Sequence, residues 1–233
     1  MGEDIRTVHF QGAEEVAPGV VCFRFSKPEG YAFAPGQYFS LTLETREGSQ
    51  TKHFTHSESP GDPYLELTTR MTGSAFKDAL QALRPGDGVT VVGPRGRLVL
   101  PAGACKVAFL VGGVGITPAR SMIRDAVQRA TGLQVALIYG NQNEAGIPFR
   151  DELDSYAATR PEIEVVHVLA EPESGWQGET GFIAADIVRR HVGGPERWHW
   201  VVAGPPAMVD AMQKVVDELA LPATSVSVER FAP

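Results

Sequence analysis

The sequence predicts two domains, an antiparallel β-barrel followed by an α/β domain with a parallel sheet. Short strands separated by turns fill the first hundred residues, and buried strands alternate with helices after that point. The pattern changes at the small residues 101–104, so we place the domains at 1–103 and 104–233. A chain of 233 residues is long enough to bury two such cores.

The first half contains strand patterns interrupted by one helix. Apolar residues recur at helical spacing in segment 74–83, and Pro85 and Gly86 end that pattern. Segment 52–56 is a further extended stretch, with Phe54 and Thr55 between polar neighbours. The predicted strands are 20–25, 37–44, 64–70, 88–93 and 97–100. Strands of this length joined by turns favour a barrel.

The second half alternates strands with amphipathic helices. The predicted strands are 106–111, 134–140, 163–170, 198–204 and 224–229. The predicted helices are 118–130, 148–157, 184–192 and 206–219. This order predicts a parallel sheet covered by helices on both faces.

Composition excludes several function classes. The net charge of -7 disfavours nucleic-acid binding, which requires clustered basic residues. Cys22 and Cys105 form no C-x-x-C pair, and His53 and His56 would point to opposite faces of a strand, so we expect no metal site. The chain starts without a signal-peptide pattern, which favours the cytoplasm. Its most apolar segment, 107–111, is far shorter than the roughly 20 residues of a membrane span.

The strongest local motif joins a buried strand to a glycine turn and a helix, in VAFLVGGVGITPARSMI. Gly113 and Gly115 occupy the first two positions of a G-x-G-x-x-G pattern, and Pro118 stands at the third. Thr117 is the expected N-cap and Pro118 the first helical residue. The helix would direct its positive end at the loop and favour an anion there. Two interpretations stay open at this point, a dinucleotide phosphate site and a plain strand-to-helix turn.

A second junction of this kind lies at residues 203–206, between a strand and a helix. In an open α/β sheet, ligands bind beyond the carboxyl ends of the strands. We therefore expect the loops that begin near 112, 140 and 204 to converge, as in a Rossmann-like nucleotide-binding domain.

Taken together, the motifs form a family pattern. They follow the order GQY, KHFTHSESP, TRMTGSAF, GPRGRL, GGVGITP, YGNQN, GWQGETG, AGPPAM and VERF. This order resembles the ferredoxin-NADP reductase superfamily over nearly the whole chain, and most of all its small members without a fused ferredoxin or flavodoxin domain. The resemblance implies an FAD-binding barrel and an NAD(P)H-binding α/β domain.

The resemblance also implies which residues hold the flavin. Lys52 would face the FAD pyrophosphate, Phe54 would lie against the isoalloxazine, and the Thr55 hydroxyl would bond near flavin N5. Lysine and phenylalanine replace the arginine and tyrosine of the family stretch, so flavin retention is expected to be weaker. The helix start after Gly73 suits a pyrophosphate, and hence FAD over FMN. The remaining flavin-binding residues would be His53, Thr69, Arg70, Met71, Gly73, Ser74 and Ala75.

On the nucleotide side, the resemblance assigns a second set of residues. Ala203 stands where many members have a cysteine. Glu229 and Phe231 match a carboxy-terminal segment that approaches the flavin, with Glu229 and Thr55 as the catalytic pair and Phe231 displaced when the nicotinamide stacks. The nucleotide-binding residues would be Gly113, Gly115, Thr117, Pro118, Tyr139, Asn141, Ala203, Gly204, Pro205 and Met208.

Segment 141–144 bears on the choice between NADH and NADPH. It offers amides and the carboxylate of Glu144 but no arginine. A 2′-phosphate requires arginine or lysine, so the segment favours NADH. NADPH stays possible, because Arg120 and Arg124 could reach the site from the preceding helix.

The expected activity is hydride transfer from NADH to bound FAD, followed by delivery of electrons to an external acceptor. That acceptor would be an unidentified protein carrier or a small molecule. Three alternatives remain from the residues alone: a reductase that uses free flavin as substrate, a non-catalytic electron-relay or nucleotide-sensing subunit, and a purely structural protein.

Overall fold

The computed structural model describes residues 5–231 and contains two six-stranded sheets. The strands of the first sheet are β1 (Ile5–Ala17), β2 (Val20–Ser26), β3 (Tyr38–Thr45), β4 (Gly48–Thr55), β5 (Tyr64–Arg70) and β6 (Gly88–Arg95). Those of the second are β7 (Lys106–Gly112), β8 (Gln134–Asn141), β9 (Ile163–Leu169), β10 (Glu179–Thr180), β11 (His199–Gly204) and β12 (Val226–Arg230). The helices are α1 (Ala75–Gln81), α2 (Ile116–Gln128), α3 (Arg150–Thr159), α4 (Ala185–His191) and α5 (Pro206–Glu218).

The first sheet is antiparallel, with strand order β4-β3-β6-β1-β2-β5. It curls around a core of large apolar side chains, into which α1 inserts Phe76 and Leu80. The strands β4 and β5 are its two edges, so the barrel is open between them. This seam lies between the two segments that the sequence analysis assigned to the flavin.

Two differences from the predicted strands concern this sheet. The longest strand, β1, was not predicted, because apolar and polar residues do not alternate regularly along its whole length and only Val8, Phe10 and Ala17 are buried. It pairs with β6 in its first part and with β2 after a register shift near Phe10. The strand predicted at 97–100 was wrong, because Leu98 leaves the barrel and packs into the core of the second half.

The second sheet is parallel throughout, with order β10-β9-β8-β7-β11-β12. Phe109 of β7 packs on the face covered by α2 and α3, whereas Leu110 packs on the face covered by α4 and α5. The prediction of helices on both faces is therefore confirmed. None of the helices between residues 5 and 231 has the length and apolar character that a membrane crossing requires.

Helix α2 connects the two halves through ion pairs with the barrel segment 57–66. Arg124 donates to both carboxylate oxygens of Asp62, at 2.7 and 3.0 Å, and Gln128 adds a bond of 2.9 Å. Burial raises the pKa of Asp62, but the hydrogen bonds from Arg124, the Ser59 N–H and Gln128 outweigh it and hold that pKa below its ordinary value. The carboxylate form of Asp62 therefore stabilises the contact between the halves.

We expect Asp62→Asn to lower the free energy of unfolding at pH 7 by about 1–3 kcal/mol, because Arg124 loses a charged partner. A carboxyl whose pKa is lowered in the folded state contributes stability above its unfolded pKa and loses it as the pH falls. The difference from the parent should therefore shrink as the pH falls below the ordinary Asp value of 3.8. Urea unfolding between pH 2.5 and pH 7 checks this, with Asp186→Asn, which alters an exposed pair with Arg190, as the control.

Candidate functional site

The predicted loops converge at the carboxyl ends of β7, β8 and β11, and the barrel meets the second sheet at the same place. The Thr55 hydroxyl, at the end of β4, donates to the Glu229 carboxylate on β12 across 3.5 Å. Glu229 pairs with Ala203 of β11, so the contact lies beside the glycine loop that follows β7. The two predicted catalytic side chains are thus brought together from positions 174 residues apart.

Two glycines of the loop are required for different reasons. Gly113 has φ +52°, a left-handed conformation that glycine adopts without strain. A Cβ at Gly115 would lie 2.3 Å from the carbonyl oxygen of Ala203, so only glycine permits this approach of the loop to β11. The Tyr139 hydroxyl on β8 donates to the Gly113 carbonyl across 2.9 Å and fixes the position of the loop. The loop is therefore held in place before any ligand is considered.

The structure corrects how this helix begins. Residues 113–115 form a short 3-10 turn that continues into α2, so Gly115 is the cap and Ile116 the first helical residue. Thr117 is not the N-cap, because its hydroxyl donates to the Val114 carbonyl at 3.2 Å. Pro118 is the third helical residue, a position where its missing N–H breaks no helical hydrogen bond.

Two residues predicted to contact the nucleotide lie beneath the surface instead. Tyr139 and Ala203 have no exposed surface, even with no ligand present. In this structure Tyr139 supports Gly113, and Ala203 packs under Gly115, so their predicted contact with the nucleotide stays a prediction. Gly113 is partly exposed, whereas Gly115, Thr117, Pro118 and Gly204 are buried and shape the loop from within.

The wall of the barrel seam is built by β4 and α1. The rings of Phe54 and Phe76 lie 5.8 Å apart with an interplanar angle of 31°. The Lys77 ammonium lies 5.1 Å from the Phe54 ring and donates to the Thr69 hydroxyl on β5. A partly exposed aromatic ring and an ammonium group therefore face the seam, which suits a planar ring system that carries phosphate.

Lys77 is a site residue that the sequence analysis missed. Burial and the charge of nearby Lys52 lower its pKa to about 8. No carboxylate pairs with Lys77 within residues 5–231. Two lysines without a counter-charge at one seam form a region that attracts anions. The sequence could have indicated Lys77 through its position, since it lies three residues after the cap Ser74, in the first turn of α1.

The second predicted flavin segment, residues 69–75, turns from β5 into α1. Ser74 caps α1 and accepts a bond from the Lys77 N–H at 3.4 Å, and Gly73 has φ +70°. The N–H of Met71 is used within the barrel, since it donates to the Gly19 carbonyl at 2.8 Å. Arg70, Gly73 and Ser74 are exposed, whereas Thr69 and Ala75 are buried and serve packing.

The histidines near this strand do not join the site. His53 bonds to the Ser40 hydroxyl at 2.7 Å and packs against Tyr38 of β3, on the opposite side of β4 from Phe54. The side chain of His53 therefore points away from the face that carries Phe54, and its predicted contact with the flavin stays a prediction. His56 is fully buried, stacks on Phe33 and bonds to Glu58 at 2.7 Å. The described residues contain no group of three or more His, Cys, Asp or Glu that could hold a metal.

On the nucleotide side, Asn141 ends β8 with an unsatisfied amide. Both polar atoms of its side chain are buried and lack a well-formed hydrogen bond, although the amide lies near the Tyr139 hydroxyl. Met208 covers the loop nearby, since a Cβ on Gly112 would lie 2.2 Å from its sulfur. Pro205 is exposed beside it, and the Phe231 N–H donates to the Gly204 carbonyl at 3.0 Å. A buried amide without a protein partner requires one from elsewhere, and a ligand or an ordered water can supply it.

The segment after Asn141 differs from expectation in its charges. Arg150 pairs with Glu144 at 2.6 Å, so an arginine does lie at this segment and compensates its carboxylate. Arg120 and Arg124 do not reach the nucleotide loop, because both are bound to barrel carboxylates and to Glu152. Glu144 therefore repels a 2′-phosphate less than the sequence indicated, and the arginine that lies at this segment, Arg150, is already paired with a carboxylate.

Glu229 has unusual electrostatics for an acidic residue. Burial raises its pKa to about 7, even though the hydrogen bond from Thr55 acts in the opposite direction. Near neutral pH this carboxyl is therefore divided between its protonated and ionised forms. It can hold or release a proton beside the Thr55 hydroxyl.

These features fit a flavin and a nicotinamide dinucleotide. The seam offers an aromatic wall and two lysines, and the carboxyl edge of the sheet offers a glycine loop and the unpartnered amide of Asn141. Lys52, Phe54, Thr55, Ser74 and Lys77 would hold the flavin. Gly113, Asn141, Pro205 and Met208 line the nucleotide side.

Comparison with known proteins agrees with this geometry. The oxidoreductase NAD-binding domain family matches residues 109–214. NADH-cytochrome b5 reductase 1 of Aspergillus terreus is 30% identical over 221 residues, which cover 88% of this chain and 74% of the relative. Ferredoxin–NADP reductase B of Sorangium cellulosum is 29% identical over 227 residues, covering 93% of each chain.

The fold has solved counterparts as well. The cytochrome b5 reductase domain of Ulva prolifera nitrate reductase superposes with a TM-score of 0.85 at 21% identity, covering 97% of each chain. The strand order, the glycine loop and these relatives lead to one conclusion. The chain belongs to the ferredoxin-NADP reductase superfamily of flavin-dependent NAD(P)H oxidoreductases.

Proposed function

We propose that this protein transfers hydride from NADH to FAD held in the barrel seam and then passes electrons to an external protein carrier. Residues 1–103 would form the flavin-binding domain and residues 104–233 the nucleotide-binding domain. The contact of Thr55 with Glu229 carries the proposal, because it joins the flavin strand to the nucleotide edge across 3.5 Å. When bound, the two cofactors supply the hydride acceptor and the hydride donor.

The chain's own groups would position and protect the reacting centre. Gly113 and Gly115 let the loop approach closely, Asn141 offers two polar atoms to the nucleotide, and Phe54 supplies an apolar wall. The Thr55 hydroxyl is oriented by Glu229, whose carboxyl keeps a proton available near neutral pH. Close positioning with water excluded accounts for much of the rate enhancement in such reactions.

NADH is the favoured donor in this proposal. Arg120 and Arg124 are engaged elsewhere, and Arg150 is paired with Glu144, which leaves no unpaired arginine among these three for a 2′-phosphate. The Aspergillus relative is named for NADH and the Sorangium relative for NADP, so the donor must be measured. Both names specify protein acceptors, cytochrome b5 and ferredoxin, which supports a protein carrier here. The free thiols of Cys22 and Cys105 suit a reducing cytoplasm.

An anaerobic absorbance titration of the FAD-loaded protein tests the proposal. Stoichiometric NADH should bleach the flavin absorbance, and NADPH should require a large excess. If neither nucleotide reduces a bound flavin, the proposed function is wrong.

A reductase that uses free flavin as substrate is the second candidate. Lys52 is exposed, and it stands where the family has an arginine, so the seam would hold an anion there with a point charge rather than with an arginine fork. Such point charges permit exchange of the flavin. Steady-state rates that saturate with added free flavin, in protein without tightly bound flavin, would favour this candidate.

We expect Lys77→Met to weaken FAD binding by about 10- to 100-fold, because a partly buried ammonium contributes about 1.5–3 kcal/mol to a charged partner. In the parent protein, the affinity should fall as the pH rises through about 8, where free Lys77 loses its proton. Fluorescence titration of FAD from pH 6 to pH 9.5 measures both effects. Lys106→Met is the control, since that ammonium lies over Trp198 at the other end of the sheet. Equal losses in the two variants would contradict the assignment.

We expect the pH dependence of flavin reduction by NADH to show an apparent pKa of about 7 that belongs to Glu229. Glu229→Gln should abolish this inflection and slow reduction by about 100-fold. Thr55→Val keeps the side-chain shape but removes the bond that lowers the pKa of Glu229, so the inflection should move to higher pH. Stopped-flow reduction from pH 5.5 to pH 9 distinguishes these results. An inflection near 7 that persists in Glu229→Gln would exclude Glu229 as its source.

A further inference from the structure

Arg120 joins three segments that border the candidate site. It is the fifth residue of α2, one turn beyond the glycine loop, and only 4% of its side chain is exposed. It plays no part in the proposed chemistry, and its buried guanidinium cannot reach a nucleotide phosphate. A buried arginine with this many partners requires an explanation, because each contact must compensate its loss of hydration.

The first set of contacts reaches the barrel. Nη1 of Arg120 donates to the carbonyl oxygen of Ser57 and to Oε1 of Glu66, both at 2.6 Å. Ser57 lies two residues after Thr55, so this bond fixes the backbone where β4 ends. Glu66 is held in turn by Nε of Arg24 at 2.8 Å and by the Ser57 hydroxyl at 2.9 Å.

The second set reaches the segment that follows β8. Nε of Arg120 donates to Glu152 at 2.7 Å, and the guanidinium stacks 3.9 Å from the centre of the Phe149 ring. Phe149 has φ +58°, a left-handed conformation that a phenylalanine adopts only when its surroundings hold it. Phe149 ends the segment that begins at Asn141. Arg120 therefore also fixes the far end of that segment.

We propose that Arg120 is a positioning residue for hydride transfer, which sets the separation between the flavin along β4 and the nicotinamide above residues 113–115. This inference rests on the proposed function. One rigid guanidinium connects the end of the flavin strand, the helix after the glycine loop and the segment after Asn141. Hydride transfer requires reacting atoms about 3–3.5 Å apart, and a displacement near 1 Å costs about 100-fold in rate.

Arg124 provides a matched control from the next turn of the same helix. It bridges the same two halves through Asp62 and shares Glu152 as a partner at 2.9 Å. The bond to the Ser57 carbonyl and the stacking on the Phe149 ring are made by Arg120 and not by Arg124. A variant at Arg124 therefore loosens the contact between the halves without releasing the end of β4.

The test is anaerobic stopped-flow reduction of the FAD-loaded protein by NADH and by NADH deuterated at the transferred position. Arg120→Lys keeps a positive charge between Glu66 and Glu152, so it should fold, but it cannot form the fork or the stack. We expect its limiting reduction rate to fall about 100-fold, with a larger isotope effect and weaker flavin–nicotinamide charge-transfer absorbance. The affinities for FAD and NADH should change less than about 3-fold, because Arg120 is not among the residues proposed to contact either cofactor.

Arg124→Met should lower the melting temperature yet keep the reduction rate within about 3-fold of the parent. Equal rate losses in Arg120→Lys and Arg124→Met would show a general effect of docking and overturn the inference. An unchanged rate in Arg120→Lys would do the same. If NADH fails to reduce the flavin of the parent protein, the proposed function fails first, and the inference fails with it.

Discussion

Glu66 is a carboxylate with no exposed surface, and the way its charge is compensated determines how the two halves meet. Burial alone would raise its pKa, but the charge of Arg120 and the hydrogen bonds from Arg24 and Ser57 hold that pKa below its ordinary value. A buried charge of this kind is tolerated only when its partners are present and well placed. Arg120 of α2 reaches Glu66 only when the two halves are docked in one arrangement. The buried charge of Glu66 therefore favours that arrangement over others.

The same docking sets the geometry of the cleft. Helix α2 begins directly at the glycine loop, and Arg120 and Arg124 in its second and third turns bind the barrel. The loop itself is confined by two contacts, the hydrogen bond from Tyr139 to Gly113 and the packing of Gly115 against the carbonyl of Ala203. Movement of the loop relative to β4 would therefore disturb both the buried ion pair of Arg120 with Glu66 and the tightly packed Gly115. The cleft is rigid because its supports are shared with the contact between the halves.

Much of this architecture could be predicted from the sequence, since the strands and helices of the second half have clear periodicity. The start of α2 was misplaced by two residues, because the 3-10 turn at 113–115 gives the cap to Gly115 rather than to Thr117. Strand β1 was missed because its few buried positions do not form a continuous pattern.

The polar contacts of the site were harder to predict than its elements. Lys77 resembles any solvent-facing helix residue until α1 is packed on the barrel. Arg120 and Arg124 were candidates for a phosphate, because no local pattern reveals partners that lie 54 and 62 residues away. The motifs identified the loops and strands of the site, whereas the pairing of its charges depends on tertiary contacts.

The partly protonated carboxyl of Glu229 has a consequence for ligand binding itself. Burial raises the pKa of this group to about 7, and a ligand that covers it further excludes water and favours its neutral form. A ligand that covered Glu229 would therefore bind with uptake of a fraction of a proton from solution. By thermodynamic reciprocity, the local proton concentration acts as an effector of nucleotide affinity, even when the nucleotide itself does not titrate.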